Sequence, residues 1–254
     1  MKALNNRILS CVSKLAVLSF ISLFSLGASS SESKVIVFGS NEKLVEQYVA
    51  QYLIENIYDS LGLQLVVVPL PPARAKKSNL NRRVDGEIAR ITPYGNDKPS
   101  LTRIEPSYYY LETAAYCLID SELRITSAKD LEGLTVASIR GVAHSDAATA
   151  KLKTVHKLDS AIQLFEFLKF KRADVVIDTE INGRRILLKD EYRPFIKRCG
   201  VFKRFELFNY INENRLEIRQ KVSNKIKALH DSGRLNELII EAEKKALLLG
   251  PEHF

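Results

Sequence analysis

The sequence predicts an α/β protein of two lobes, each built on a mainly parallel sheet, joined by a pair of crossing strands. Three observations carry this reading. Short apolar runs recur near residues 35–38, 63–68, 84–91, 134–139 and 173–177, each ending in a polar or glycine-bearing turn. Stripes at helical spacing fall between them. Two extended segments, 108–119 and 205–211, separate one α/β series from the other.

In order along the chain, residues 34–38 read as a strand, with Ser40 or Asn41 as the cap of the next helix. Val45, Val49, Tyr52, Leu53 and Ile57 stripe that helix, and Gly62 stops it. Residues 63–68 form a Val-rich run suited to a buried parallel strand, ended by Pro69, Pro71 and Pro72. A short helix over 73–80 and a strand over 84–91 complete two βα units, whose right-handed crossovers make the sheet parallel. Residues 93–99 are a turn-rich loop. The second series then runs strand 134–139, helix 144–152, short strand 154–156, helix 159–170 with Ala161, Ile162, Phe165 and Leu168 on one face, and buried strand 173–177. After the extended segment 205–211, Ile218, Val222, Ile226 and Leu229 stripe a helix that ends near Gly233, and Leu235, Leu238, Ile239 and Ala242 stripe the last one.

The first 30 residues stand apart. Lys2, Arg7 and Lys14 precede an uncharged run from Leu15 to Leu26 that ends in small residues, the pattern of a cleavable secretory signal. The run is shorter than the ~20 residues a membrane span needs. The expected organisation is a signal peptide over 1–30, one lobe from 31–112 and 206–254, and the other from 113–205. Without residues 1–30 the chain keeps 35 basic against 30 acidic residues, a net +5. That balance describes a solvated, mildly basic surface. Export and the lack of any aromatic-interleaved basic motif argue against nucleic acid.

Cys117 and Cys199 are the cysteines that remain, and an exported chain allows either a bridge or two buried thiols. His144, His156, His230 and His253 are scattered without ligand spacing, so neither a metal nor a cofactor is expected.

A set of fragments in fixed order carries a family resemblance: Pro72 and Arg74; Val84, Asp85, Gly86, Glu87 and Arg90; Glu105, Pro106 and Tyr109; Asp130 to Gly133; Arg140 and Gly141; Ala173 to Asp178; and Ser232 to Leu238. Together they resemble the third family of bacterial extracellular solute-binding proteins, of the type II periplasmic binding fold, many of which serve amino-acid ABC importers. The resemblance implies a cleft between the lobes, a guanidinium for a ligand carboxylate, and an acid at Asp178 for a ligand amino group. Two departures stand out. The aromatic-bearing hairpin usual after the first strand is missing, because Phe38, Gly39, Ser40 and Asn41 pass directly into the helix. The carboxylate-gripping arginine has only Arg90 and Arg103 as counterparts, neither in register.

Ligands of open α/β sheets bind beyond the carboxyl ends of the strands, which makes Arg74, Arg90, Arg140, Asp178 and Tyr94 the candidate ligand-binding residues. Arg90 closes the third strand, where it can grip a carboxylate with two parallel bonds. Strand alternation puts Asp85 and Glu87 on one face and Arg90 on the other, so Arg90 is expected to face the cleft unpaired, and Arg90→Ala to weaken binding with little loss of fold. One charge-assisted bond contributes roughly 1.5–3 kcal/mol, against about 8 for micromolar affinity, so it orients a ligand without holding it alone. Arg140 and Gly141 precede a helix start suited to an anionic group. Asp178 also fits as a cap for the helix beginning near Thr179.

These readings converge on a monomeric, non-enzymatic periplasmic protein that captures a small polar charged solute for an inner-membrane ABC permease or a sensor kinase. The rivals are an enzyme on the same fold, a dehydratase or lyase with Glu87 or Glu180 as general acid, and a sensing or interaction module.

Overall fold

The computed structural model describes residues 35–71, 74–75, 77–78, 81–96 and 98–249. The expected signal segment, Pro72 and the ends of the helix expected over 73–80 lie outside them.

One continuous sheet runs through both lobes in the order β2-β1-β3-β9-β5-β8-β6-β7, with β4 added against β9. In the first lobe, β1 (Ile36–Asn41) pairs in parallel with β2 (Leu65–Leu70) and β3 (Gly86–Ile91). In the second, β6 (Val136–Ile139) pairs in parallel with β7 (Val155–Leu158) and β8 (Val175–Thr179). The crossing strands are β5 (Tyr109–Leu118) and β9 (Ile196–Asn212), antiparallel from Tyr109↔Leu207 to Leu118↔Ile196. The far half of β9 then pairs with β3 and with β4 (Leu101–Arg103).

Helices cover the sheet. In the first lobe these are α1 (Val45–Asp59), α5 (Leu216–Asp231) and α6 (Arg234–Leu248); their stripes, with Ile36, Phe38 and Ile88, form one core. In the second they are α2 (Ala143–Thr149), α3 (Ala161–Lys169) and α4 (Glu180–Ile186). Here successive residues of β5, β6 and β8 enter two different cores. Ala114, Tyr116, Ala137 and Val176 pack with α3, whereas Ala115, Cys117, Val136, Val175 and Ile177 pack on the opposite face. Burial on both faces is why these strands read as unbroken apolar runs.

Several expectations are corrected. β2 continues through Pro69 to Leu70, because an edge strand tolerates a residue without an N–H. The same edge position leaves Val66 48% exposed where a buried strand was expected. Ser40 and Asn41 belong to β1, so neither caps α1; the N-cap is Leu44, with no side-chain bond of its own. β9 begins nine residues before the expected segment, its first half mixing polar and apolar residues that are mostly half-buried or exposed. Cys117 and Cys199 form a disulfide across the two crossing strands, with a Cα separation of 5.9 Å.

Candidate functional site

Two adjoining cavities lie where the strand ends of both lobes meet. The larger, about 400 Å³, takes Asn41, Glu46, Arg90 and Tyr94 from the first lobe, Gly141 to His144 and Asp146 from the second, and Leu111 and Leu207 from the crossing strands. The smaller, about 270 Å³, is lined by Glu42, Lys43, Pro71, Arg140, Asp159 and Ser160; Leu44 and Gly141 border both. Where the family resemblance puts an aromatic shelf, this chain has the turn Glu42–Leu44, with Lys43 in the left-handed region at φ 62°. Gly141 has φ 75°, a conformation that a side chain would strain.

Arg90 reaches the larger cavity, but not unpaired. Its Nη2 donates to Glu87 Oε2 at 2.6 Å, and Tyr94 Oη donates to Glu87 Oε1 at 3.1 Å. Strict alternation breaks down here because the β3–β9 register shifts between Glu87 and Arg90. A bulge adds a residue to one strand and re-aims the side chains after it, which brings both residues to one face. Glu87 is fully buried, and Gly39 makes room for it: a Cβ there would lie 3.3 Å from Glu87 Oε2. Tyr94 completes the unit, with the Arg90 guanidinium 5.0 Å and the Lys98 ammonium 4.0 Å from its ring centroid. Asp85 is engaged elsewhere, with Arg215 at 3.0 Å.

Arg140 is exposed at the rim of the smaller cavity, donating to Asp159 Oδ1 (3.1 Å) and to the Lys157 carbonyl (2.9 Å). Arg74 is exposed and lines neither cavity. Of the other tyrosines considered, Tyr108 and Tyr109 are buried in the first lobe's core, Tyr108 donating to the Ile88 carbonyl at 2.7 Å. Glu180, the alternative general acid, faces a different pocket with Arg184 and Arg198 and accepts from Arg198 at 2.8 Å.

Asp178 lies inside β8, and Thr179, not Asp178, caps α4, its Oγ1 accepting from the Asn182 N–H. Asp178 Oδ1 accepts from the Thr179 N–H (2.8 Å) and Asn182 Nδ2 (3.0 Å), while its Oδ2 is buried without a hydrogen-bond partner. Burial raises its pKa to about 7 against the pull of those two bonds.

Glu46, absent from the sequence-based candidates, stands in the first turn of α1, lines the larger cavity and is 2% exposed. Its Oε2 accepts from Thr179 Oγ1 of the other lobe at 3.2 Å. Burial first, and the neighbouring Asp178 second, raise its pKa to about 8. Beside it the Val45 N–H, which no first-lobe side chain caps, donates to Asn182 Oδ1 at 2.8 Å. The start of α1 is therefore closed by the other lobe. His144 is also buried on this wall, its Nδ1 3.2 Å from Thr113 Oγ1, and burial lowers its pKa to about 3, so it is neutral. Asp146 accepts from Lys157 Nζ at 2.6 Å. Among the described residues, no group of three His, Cys, Asp or Glu is placed to hold a metal ion.

No family model matches the sequence. An uncharacterized protein of Shewanella oneidensis is 22% identical over 190 residues, covering 72% of each chain. Among solved structures, the amino-acid ABC transporter substrate-binding protein AbpA of Streptococcus pneumoniae, bound to L-arginine, superposes with TM-score 0.69 at 17% identity over 86% of this chain and 98% of that one. A variant of ArgBP from T. maritima gives TM-score 0.66 at 19% identity, over 82% and 94%. A histidine kinase sensor domain with similarity to periplasmic binding proteins gives 0.67 at 15%, over 82% and 95%. Identities this low speak to architecture, and the architecture is the one the sequence predicts: the chain has the two-lobe fold of the periplasmic binding proteins.

Proposed function

We propose that the chain is an exported binding protein, working as a monomer in the periplasm, that captures a small polar charged solute between its lobes for an ABC-type importer and performs no chemistry of its own. The observation that supports this best is the composition of the larger cavity. Both lobes and both crossing strands contribute to it, and its ~400 Å³ lies in the range of small-molecule sites. In this reading Arg90 and Tyr94 meet the solute from the first lobe, and the Gly141–His144 turn meets it from the second. Arg140 guards the rim, Asp178 acts from behind Glu46, and Arg74 stays on the lobe surface. The solute bridges the lobes and shifts an open-closed equilibrium about β5 and β9. A permease would recognise the closed form.

A second reading uses the same closure to signal instead of to deliver, and the likeness to a kinase sensor domain favours considering it. Both readings require a solute. A thermal-shift screen with amino acids, polyamines, dicarboxylates and peptidoglycan fragments tests that requirement, because a ligand held only by the folded state raises the melting temperature. At least one class should raise Tm. A flat response across all four would count against both.

A further inference from the structure

The two crossing strands are not all that joins the lobes. Helix α4 and the residue before it, on the second lobe, reach α1 and the C-terminal end of α6 on the first through four polar contacts. At the start of α4, Thr179 Oγ1 donates to Glu46 Oε2 at 3.2 Å, and Asn182 Oδ1 accepts from the Val45 N–H at 2.8 Å. Near its end, Arg184 Nη2 donates to Glu243 Oε2 of α6 at 3.0 Å, and Arg185 Nη2 donates to the Leu249 carbonyl at 3.4 Å. The Arg184 contact is the middle of a chain. Tyr109 Oη donates to the other oxygen of Glu243 at 3.2 Å, and Glu180, 3.8 Å from Arg184, accepts from Arg198 of β9 at 2.8 Å. The Arg184 and Glu243 side chains are 42% and 20% exposed. An ion pair that wet is weak by itself and is screened by salt.

Apolar packing supplies what the ion pair lacks, because each lobe lends the other a side chain. Ile181 of α4, 6% exposed, belongs to the first lobe's core, together with Val45, Tyr109 and Ala246. Leu44, 5% exposed, belongs to the second lobe's core, together with Ile139 and Val142. Burying an aliphatic side chain is favourable whether or not a solute is bound, and none of these contacts passes through a solute. We propose that α4 is a latch that holds the two lobes together in the solute-free protein, with Ile181 and Leu44 as apolar pins and the Arg184–Glu243 pair fixing the approach of α4 to α6. This goes beyond solute capture and does not depend on it. The docked form is the resting state, and a solute is selected by lobes already in contact. Ile181 and Arg184 line neither cavity of the cleft, so they act as positioning residues.

The Val45 amide reports the latch directly. It is the first N–H of α1 and its acceptor stands on the other lobe, whereas Leu53, in the middle of the same helix, bonds within the helix. Protein refolded from denaturant, which strips any bound solute, is moved into heavy water and both amides are followed by NMR. In wild type, Val45 should exchange at least about 100-fold more slowly than in an unstructured chain. Arg184→Met removes the guanidinium but keeps most of the side chain's bulk, and should speed Val45 about threefold relative to Leu53, as raised salt should in wild type. Ile181→Ala should speed it at least about tenfold on the same scale. Should either variant fold poorly, Glu243→Gln and Ile181→Val serve the same comparison. Free-chain exchange of Val45 in wild type overturns the latch, because the lobes would then stand apart without a solute. A Val45 rate that no variant changes, or that rises only as much as that of Leu53, overturns it too, because the contacts would then add nothing specific between the lobes.

Discussion

Glu87 and Glu46 are buried acids of the same lobe, 0% and 2% exposed, yet their surroundings treat them oppositely. Glu87 has a guanidinium at 2.6 Å on one oxygen and a phenol at 3.1 Å on the other, so its charge is compensated inside the lobe. Glu46 has only neutral groups from the opposite lobe, the Thr179 hydroxyl and the Asn182 side chain, and a second acid for company. The first arrangement supplies its own positive charge and ties the end of β3 to Tyr94. The second lacks a positive charge. The residue that sequence reasoning chose as the ligand's anchor is thus largely occupied by its own lobe, and the incomplete site lies with a residue that reasoning passed over.

The largest expected effect comes from breaking the complete pair. Arg90→Ala strands a fully buried carboxylate and should cost about 3–5 kcal/mol in urea unfolding. Substituting both partners, Glu87→Gln with Arg90→Met, should recover most of that loss. Arg90→Ala was expected from the sequence to spare the fold; its bond to Glu87 reverses that expectation. A single variant as stable as wild type would show that the pair does not hold Glu87. An intermediate effect belongs to Glu46→Gln, whose benefit grows from about pH 4.5 to about pH 8 and is fully present above that. An acid whose folded pKa is raised loses stability as pH climbs from its unfolded value, near 4.5, through about 8, and E46Q removes that loss. The smallest effect is expected of Tyr94→Phe. It deletes the hydroxyl bond to Glu87 but keeps the ring beneath Arg90, and should cost about 1 kcal/mol, read from the same urea curves.

Much of the fold was legible because burial on both faces writes itself as uninterrupted apolar runs, as at β6 and β8, and because α1, α5 and α6 carry clean stripes. The first half of β9 was not. Residues such as Arg198, Lys203 and Arg204 are exposed there, and the strand is held mainly by pairing with β5 instead of by a continuous apolar face. β4, three residues long, gives too little pattern to read. At the site, strand alternation argues against a pair between Arg90 and Glu87, and it is overturned because a bulge between the two is a property of register against β9 that alternation cannot anticipate. Glu46 was missed for a different reason. An acid in the first turn of a helix ordinarily faces solvent and complements the helix dipole, and here only the other lobe, through Thr179 and Asn182, turns that position into the interior. The nearest sequence-level hint is the absence of a capping side chain at Leu44, which leaves the helix start to be closed from elsewhere.

The most direct test of this account is the titration of the Glu46 carboxyl carbon by NMR in the solute-free protein with glutamate labelled at that carbon, assigned by its loss in E46Q. The account predicts that Glu46 keeps its proton through neutrality and ionises near pH 8. Ionisation complete by pH 5 to 6, as for an ordinary glutamate, would mean that Glu46 is not held in an interior without a countercharge.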